Sequence, residues 1–146
     1  RYLEDYRDEI PQHRMGRVVM IAPPNGGSEV ADLLKDFPPY QWVFGPAGQE
    51  LTTQARSANV VQPWYQAGII AGTRGWPYPI ANMVINGAND GRVAVEKTKM
   101  SGMVDFIVLP ATHSFISWKS DVHDEILNFL KADQCQNVCV ENFQNT

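Results

Sequence analysis

Residues 17–34, RVVMIAPPNGGSEVADLL, join an apolar run, a glycine-rich turn and an amphipathic segment. The run Arg17–Ala22 is continuously apolar after its first residue, which is typical of a strand buried on both faces of a parallel sheet. Ser28 has the position of an N-cap for a helix over Glu29–Phe37, which the pair Pro38-Pro39 is expected to end. The stretch therefore predicts a strand, a turn and a helix, as in a βα unit.

Two more apolar runs follow this unit along the chain, at Ala67–Gly72 and at Asp105–Pro110. After the last of them, Ser120 is a candidate N-cap for an amphipathic helix over 121–132. The segment 92–96 fits either a short strand or a helical turn. Short buried strands interleaved with helices predict an α/β fold of about three parallel strands with flanking helices.

The segment between the first two predicted strands, Tyr40–Tyr65, has no clear period and is rich in aromatic residues. Glycines and prolines interrupt it, so it is expected to be irregular and to resemble a lid. Its aromatics either fill a small satellite core or border a substrate pocket. The candidate substrate-binding residues are Trp42, Phe44 and Trp64.

Composition excludes several functional classes. The chain has 146 residues and ordinary globular composition, which predicts one domain. Its 16 acidic and 12 basic residues give a net charge of -4, without the basic cluster that nucleic acid or an anionic membrane surface requires. No apolar run reaches the roughly 18 residues of a membrane span.

The metal-binding and thiol chemistry is sparse. The three histidines are scattered, and Cys135 and Cys139 have a spacing that is neither that of a zinc ribbon nor that of a C-x-x-C redox motif. No metal or other cofactor is predicted. Two free thiols and one disulfide are both open, so the cysteines leave the compartment undecided, although the absence of a signal-like segment in this chain favours the cytoplasm.

The first ten residues, RYLEDYRDEI, have the pattern of an amphipathic helix that is already under way. A trimmed or processed start and a missing upstream half both explain this pattern. Composition does not separate the two.

Two residues have the chemistry of an acid–base pair. Asp90 lies on an Asn-Asp-Gly turn, and His113 lies just beyond the third predicted strand. In α/β sheets functional residues gather beyond the carboxyl ends of the strands. A buried aspartate can hold a histidine in one tautomer while that histidine takes a proton from a nucleophile. Acid before base, with the base late in the chain, matches the order in α/β-hydrolases.

Four ordered segments strengthen this interpretation: RVVMIAPPNGGSEVADLL, GPAGQEL, NGANDGRVAVEKTKM and LPATHSFI. Together they resemble the C-terminal half of bacterial lipase-like proteins of the α/β-hydrolase superfamily. The resemblance covers residues 1–133 and implies that the three strands are the last three of the hydrolase sheet. It also implies that Asp90 is the triad acid, that His113 is the triad base, and that the aromatic segment borders the pocket. The polar tail, residues 134–146, lies outside the resemblance and is expected to be disordered.

One feature of that family is absent from the chain: the G-x-S-x-G elbow that carries the nucleophilic serine. Ser28 is explained as an N-cap, and Ser114 is adjacent to His113, where the two side chains would not face each other productively. The remaining serines have no elbow context: Ser57, Ser101, Ser117 and Ser120. The oxyanion-hole donor of the family is missing too. The chain alone is therefore expected to be inactive as an esterase.

Three functions remain open. The first is the acid-and-base half of a serine ester hydrolase that acts on an ester or lipid-like substrate. The second is a non-catalytic binding or assembly module. The third is a hydrolase that is completed across an oligomer. A three-stranded sheet would expose an edge unless it is paired. This predicts a homo-oligomer, with the strand Val18–Ile21 at the contact, or a missing N-terminal half as the partner.

Overall fold

Three parallel strands form one sheet in the order β1-β2-β3. A computed structural model describes the backbone of residues 2–57 and 62–143 and the side chains of residues 2–56, 62–78 and 81–132. The strands are β1 (Val18–Ile21), β2 (Ala67–Gly72) and β3 (Asp105–Leu109). The three predicted strands, their parallel direction and the α/β class are confirmed.

The central strand β2 is buried along its whole length, whereas β1 and β3 are only half-buried. Within the described part of the chain, β1 and β3 each pair with β2 alone. The prediction of a strand buried on both faces therefore holds for β2 and is wrong for the two outer strands. Continuous apolarity could not distinguish a central strand from an outer one.

Seven α-helices are present in the described residues. They are α1 (Tyr2–Asp5), α2 (Glu29–Leu34), α3 (Pro38–Glu50), α4 (Thr53–Ser57), α5 (Pro79–Val84), α6 (Val95–Thr98) and α7 (Ser120–Phe143). Single 3₁₀ turns occur at Gln12–Arg14 and Ile116–Trp118. None of these helices is both long and apolar enough to cross a bilayer.

The segment around Pro38-Pro39 differs from the prediction. Helix α2 ends at Leu34, and the two prolines open α3 instead of closing α2. Proline suits the first turn of a helix because the backbone N–H it lacks has no partner there. Within α3, Gly45 takes φ 52° and kinks the helix just before Pro46. The expectation of an irregular segment over 40–65 is therefore wrong, since most of its described part is helical.

The ambiguous segment 92–96 forms no strand; residues Val95–Thr98 make the short helix α6 after an isolated bridge between Asn89 and Ala94. Helix α7 begins at Ser120 itself, so the prediction of Ser120 as N-cap is wrong. The helix continues to Phe143, into the predicted tail. The division of the chain at residue 133 stays a prediction, and residues 144–146 lie outside the described part.

The main core lies between the sheet and α7. Val122 of α7 is fully buried against residues from β2 and from the loops that follow β1 and β3: Ala22, Ile70, Ala111 and Ile116. Because these groups come from four separate segments, the same cluster that stabilises the fold also holds together the loops at the carboxyl ends of the strands.

Val122→Ala is expected to lower the free energy of unfolding by about 2 to 3 kcal/mol, because it removes buried methyl groups and leaves a cavity. Val108→Ala makes the same chemical change on β3, where the side chain is 44% exposed. It should cost less than about 1 kcal/mol. Urea unfolding followed by circular dichroism measures both; equal losses would contradict this account of the core.

Candidate active site

Asp90 and His113 lie in two loops that meet at the carboxyl ends of β2 and β3. Gly72 ends β2, and a Cβ placed there would lie 2.5 Å from the carbonyl oxygen of Ala111 and 2.9 Å from the Cβ of Asp90. Real Cβ atoms do not come this close to other atoms. The lack of a side chain at Gly72 therefore allows both loops to rest on the end of the central strand.

The turn that carries Asp90 is fixed by its own sequence. The Asn89 side-chain oxygen accepts a hydrogen bond from the Gly91 backbone N–H at 2.9 Å, as in an Asx turn. Gly91 has φ 95°, which glycine adopts without strain. The Asp90 N–H donates to the Val93 carbonyl at 3.2 Å. This local chemistry fixes the direction in which the Asp90 carboxylate points.

The Asp90 carboxylate is fully buried and both of its oxygens are hydrogen-bonded. Oδ1 accepts from the backbone N–H groups of Arg92 at 3.0 Å and Val93 at 2.8 Å. Oδ2 lies 2.7 Å from Nδ1 of His113. Because burying a carboxylate without partners is costly, these bonds compensate for the water that its oxygens lose on burial.

His113 is held by backbone and side chain together. Its N–H donates to the carbonyl oxygen of Asp90 at 2.9 Å, and its side chain is 27% exposed. An ionised carboxylate only accepts hydrogen bonds, so in the neutral imidazole the proton resides on Nδ1. This leaves Nε2 as the nitrogen that can accept a proton from another group.

The glycine-rich turn after β1 supports the segment that carries Asp90. The Ser28 hydroxyl donates to the Arg92 carbonyl at 2.6 Å and accepts from the Ala31 N–H at 3.4 Å. The N-cap prediction for Ser28 is confirmed, and the bond to Arg92 is one that sequence analysis missed. Gly26 adds a backbone bond to the Lys97 carbonyl at 2.7 Å. No spacing rule links the segments 26–28 and 92–97, which are far apart in the chain.

Two of the three aromatic candidates, Trp42 and Phe44, lie on α3, whereas Trp64 precedes β2. Trp42 is 88% exposed on α3, and Phe44 is 46% exposed with its ring centroid 4.7 Å from that of Tyr40. Trp64 donates to the Leu3 carbonyl at 3.0 Å and lines a cavity of about 330 Å³ beside Gly16 and Gln66, where β1 and β2 begin.

The structure places Trp64 away from His113. A six-residue strand such as β2 separates its two ends by roughly 17 to 20 Å. Trp64 lies at the beginning of that strand and His113 beyond its end. The assignments of Trp42, Phe44 and Trp64 to a substrate pocket stay predictions.

His13, His123 and Ser114 each have surroundings of their own. His123 is exposed and its Nε2 lies 2.7 Å from the Ser117 carbonyl oxygen, while His13 is exposed on a 3₁₀ turn. Ser114 shares a hydrogen bond with the Tyr78 hydroxyl. Among the described side chains, no three His, Cys, Asp or Glu residues converge as metal ligands would. The side chains of Ser57, Cys135 and Cys139 lie outside the described residues.

Comparison with known proteins gives one likeness. No protein-family model matches the chain, and no curated protein matches it. Among solved structures, it is similar to a lipase of Bacillus licheniformis in its mature form, with a TM-score of 0.54 and 21% sequence identity. The likeness covers 69% of this chain and 49% of the lipase chain.

The likeness establishes the fold. The chain has a partial α/β-hydrolase-like fold. It spans about half the length of the lipase that it matches. The three parallel strands with flanking helices agree with this architecture.

Asp90→Asn is expected to reverse the tautomer of His113. The asparagine oxygen would keep the position of Oδ1, which accepts from two backbone N–H groups. Its amide nitrogen would then face Nδ1 of His113 and donate to it, which moves the imidazole proton to Nε2.

Long-range ¹H–¹⁵N correlation spectra of the histidine rings measure this tautomer directly. Asp105→Asn is the matched control, because Asp105 lies at the opposite end of the sheet and its Oδ1 accepts from Phe106 N–H. An unchanged His113 tautomer in Asp90→Asn would contradict the described hydrogen bonds.

Proposed function

We propose that the chain supplies the acid and the base of the catalytic triad of a serine carboxylic-ester hydrolase, with the nucleophilic serine contributed by polypeptide outside these 146 residues. The observation that carries the proposal is the 2.7 Å contact between His113 Nδ1 and the buried Oδ2 of Asp90. The pair lies beyond the carboxyl ends of parallel strands, where α/β folds place their functional sites.

The chemistry of the pair follows from its hydrogen bonds. Nε2 of His113 takes the proton of the serine hydroxyl as that oxygen attacks the ester carbonyl carbon. The imidazolium then gives this proton to the leaving alcohol. The Asp90 carboxylate accepts a hydrogen bond from Nδ1–H and stabilises the imidazolium, and two backbone N–H groups hold the carboxylate in place for this role. In the second half of the cycle, His113 deprotonates a water molecule that attacks the acyl-serine ester. The imidazolium then returns the proton to the serine oxygen as the carboxylic acid leaves.

Carboxylic esters are the proposed substrate class because the structural neighbour is a lipase and because the order of Asp90 before His113 matches that of α/β-hydrolases. The acyl group and the alcohol are left open. The nucleophile is proposed to come from elsewhere because the chain has no G-x-S-x-G sequence. In addition, the hydroxyls of Ser28 and Ser114 have other hydrogen-bond partners.

The completing polypeptide is proposed to pair with β1. Within the described residues this strand pairs on one side only, and its last residue, Ile21, is 37% exposed. The unpaired edge of a parallel strand presents backbone donors and acceptors that another strand can satisfy. The partner is either a nucleophile-bearing polypeptide or a second copy of the chain.

The purified chain is expected to show no covalent adduct after treatment with a fluorophosphonate probe, because such probes react with activated serines. Intact-mass spectrometry makes the measurement, and a serine hydrolase in the same sample is the positive control. A single adduct that disappears in His113→Ala would contradict the proposal of an external nucleophile, since a serine of this chain would then be activated.

The roles of Asp90 and His113 are tested by complementation with a polypeptide that carries the nucleophile elbow, using hydrolysis of p-nitrophenyl butyrate as the readout. Where activity is restored, His113→Ala and Asp90→Ala should each reduce kcat by roughly four to six orders of magnitude. His123→Ala is the matched control and should leave kcat unchanged. Restored activity that survives His113→Ala would contradict the proposed base and favour the non-catalytic binding or assembly module.

A further inference from the structure

Tyr78 connects the two loops that carry the acid and the base, and no spacing or motif in the sequence singles it out. It precedes helix α5, and its backbone N–H donates to the Gly75 carbonyl at 2.8 Å. Its ring packs against a small core cluster formed by Ala81, Ile85 and Ala94. The ring is therefore anchored in the body of the protein.

The ring of Tyr78 also contacts the turn that carries Asp90. It lies so close to Gly91 that any side chain there would collide with the ring carbon Cδ2. The guanidinium carbon of Arg92 lies 5.5 Å from the ring centroid, within cation–π range. Both neighbours immediately follow Asp90 in the chain, so the ring packs directly on the acid-bearing turn.

The hydroxyl of Tyr78 reaches the other loop. It forms a short hydrogen bond with the hydroxyl of Ser114, the residue that follows His113. One rigid side chain therefore contacts the acid-bearing turn with its ring and the base-bearing loop with its hydroxyl. The two loops are otherwise joined by the backbone bond from His113 to Asp90 and by the side-chain pair itself.

We propose that Tyr78 is a positioning residue, which acts through Ser114 to keep the His113 imidazole aligned with the Asp90 carboxylate. The inference rests on the proposed function for its catalytic meaning. The backbone bond from His113 to Asp90 holds the loop at one point, and the partly exposed imidazole is restrained further by a second point. The bond between Tyr78 and Ser114 supplies that point, one residue away from the imidazole.

The test uses the complete 146-residue chain and needs no nucleophile. The signal is the downfield proton resonance of His113 Nδ1–H, and the measurement is its rate of exchange with water. Tyr78→Phe keeps the ring and removes the hydroxyl, so the fold should be preserved; amide spectra check this. We expect exchange to be about two- to tenfold faster, the factor that one net hydrogen bond contributes to an equilibrium.

Two further variants make the result specific. Ser114→Ala should give the same acceleration, and the double variant should be no faster than either single one, since both remove the same bond. Tyr65→Phe is the matched control, because Tyr65 lies at the opposite end of the sheet beside Trp64, and it should leave exchange unchanged.

The possible failures are distinguishable. If the ¹H–¹⁵N ring spectra of the unmodified chain show no proton on Nδ1 of neutral His113, the Asp90–His113 pair and the proposed function fail together with this inference. If that proton is present but Tyr78→Phe leaves its exchange rate unchanged, only the role of Tyr78 is overturned. Additive effects of Tyr78→Phe and Ser114→Ala would also overturn it, because they would show that the two hydroxyls act separately.

Discussion

The absence of a side chain at Gly72 is the constraint on which the candidate site depends. A Cβ there would collide with Ala111 and with Asp90, so any other residue would push apart the loops that follow β3 and α5. With glycine, the Arg74 N–H donates to the Ala111 carbonyl at 3.0 Å. The end of the central strand thus serves as a common base for both loops, and the acid and base meet because each loop rests on it.

Burial of the Asp90 charge explains why its surroundings are so fully hydrogen-bonded. An isolated carboxylate in a protein interior is strongly unfavourable, and it becomes tolerable only with several donors. Here two of those donors are backbone N–H groups of the same turn. These two hydrogen bonds to Asp90 therefore do not depend on His113. Ser28 adds a bond to the Arg92 carbonyl, which restrains the residue that supplies one of these donors. Backbone hydrogen bonds therefore fix the position of Asp90 as much as its contact with His113 does.

Features that depend on neighbouring residues in the chain were largely predictable from the sequence, whereas most contacts between distant residues were not. Continuous apolar runs predict the three strands because the apolar pattern lies within each run, although it does not distinguish the buried central strand from the half-buried outer ones. The prediction failed for α3 because Pro38 and Gly45 are helix breakers in general, whereas here one opens the helix and the other kinks it. The position of Trp64 at the beginning of β2 was not predictable, because composition does not say at which end of a sheet a connecting segment lies. Tyr78 and its contact with Ser114 gave no signal, since 36 positions separate the two residues.

The contact between Asp90 and His113 is complete within the described residues, although the proposed triad is not. Every hydrogen bond that orients Asp90 and His113 is made by the chain itself, from turn, strand end and loop. Triad members act as a unit in catalysis, so under the proposed function the pair would contribute little to the reaction until a nucleophile is present. The geometry of the pair, by contrast, does not depend on the nucleophile. Under the proposed function, a polypeptide that carries the nucleophile would therefore need to place one serine against an imidazole that this chain already orients.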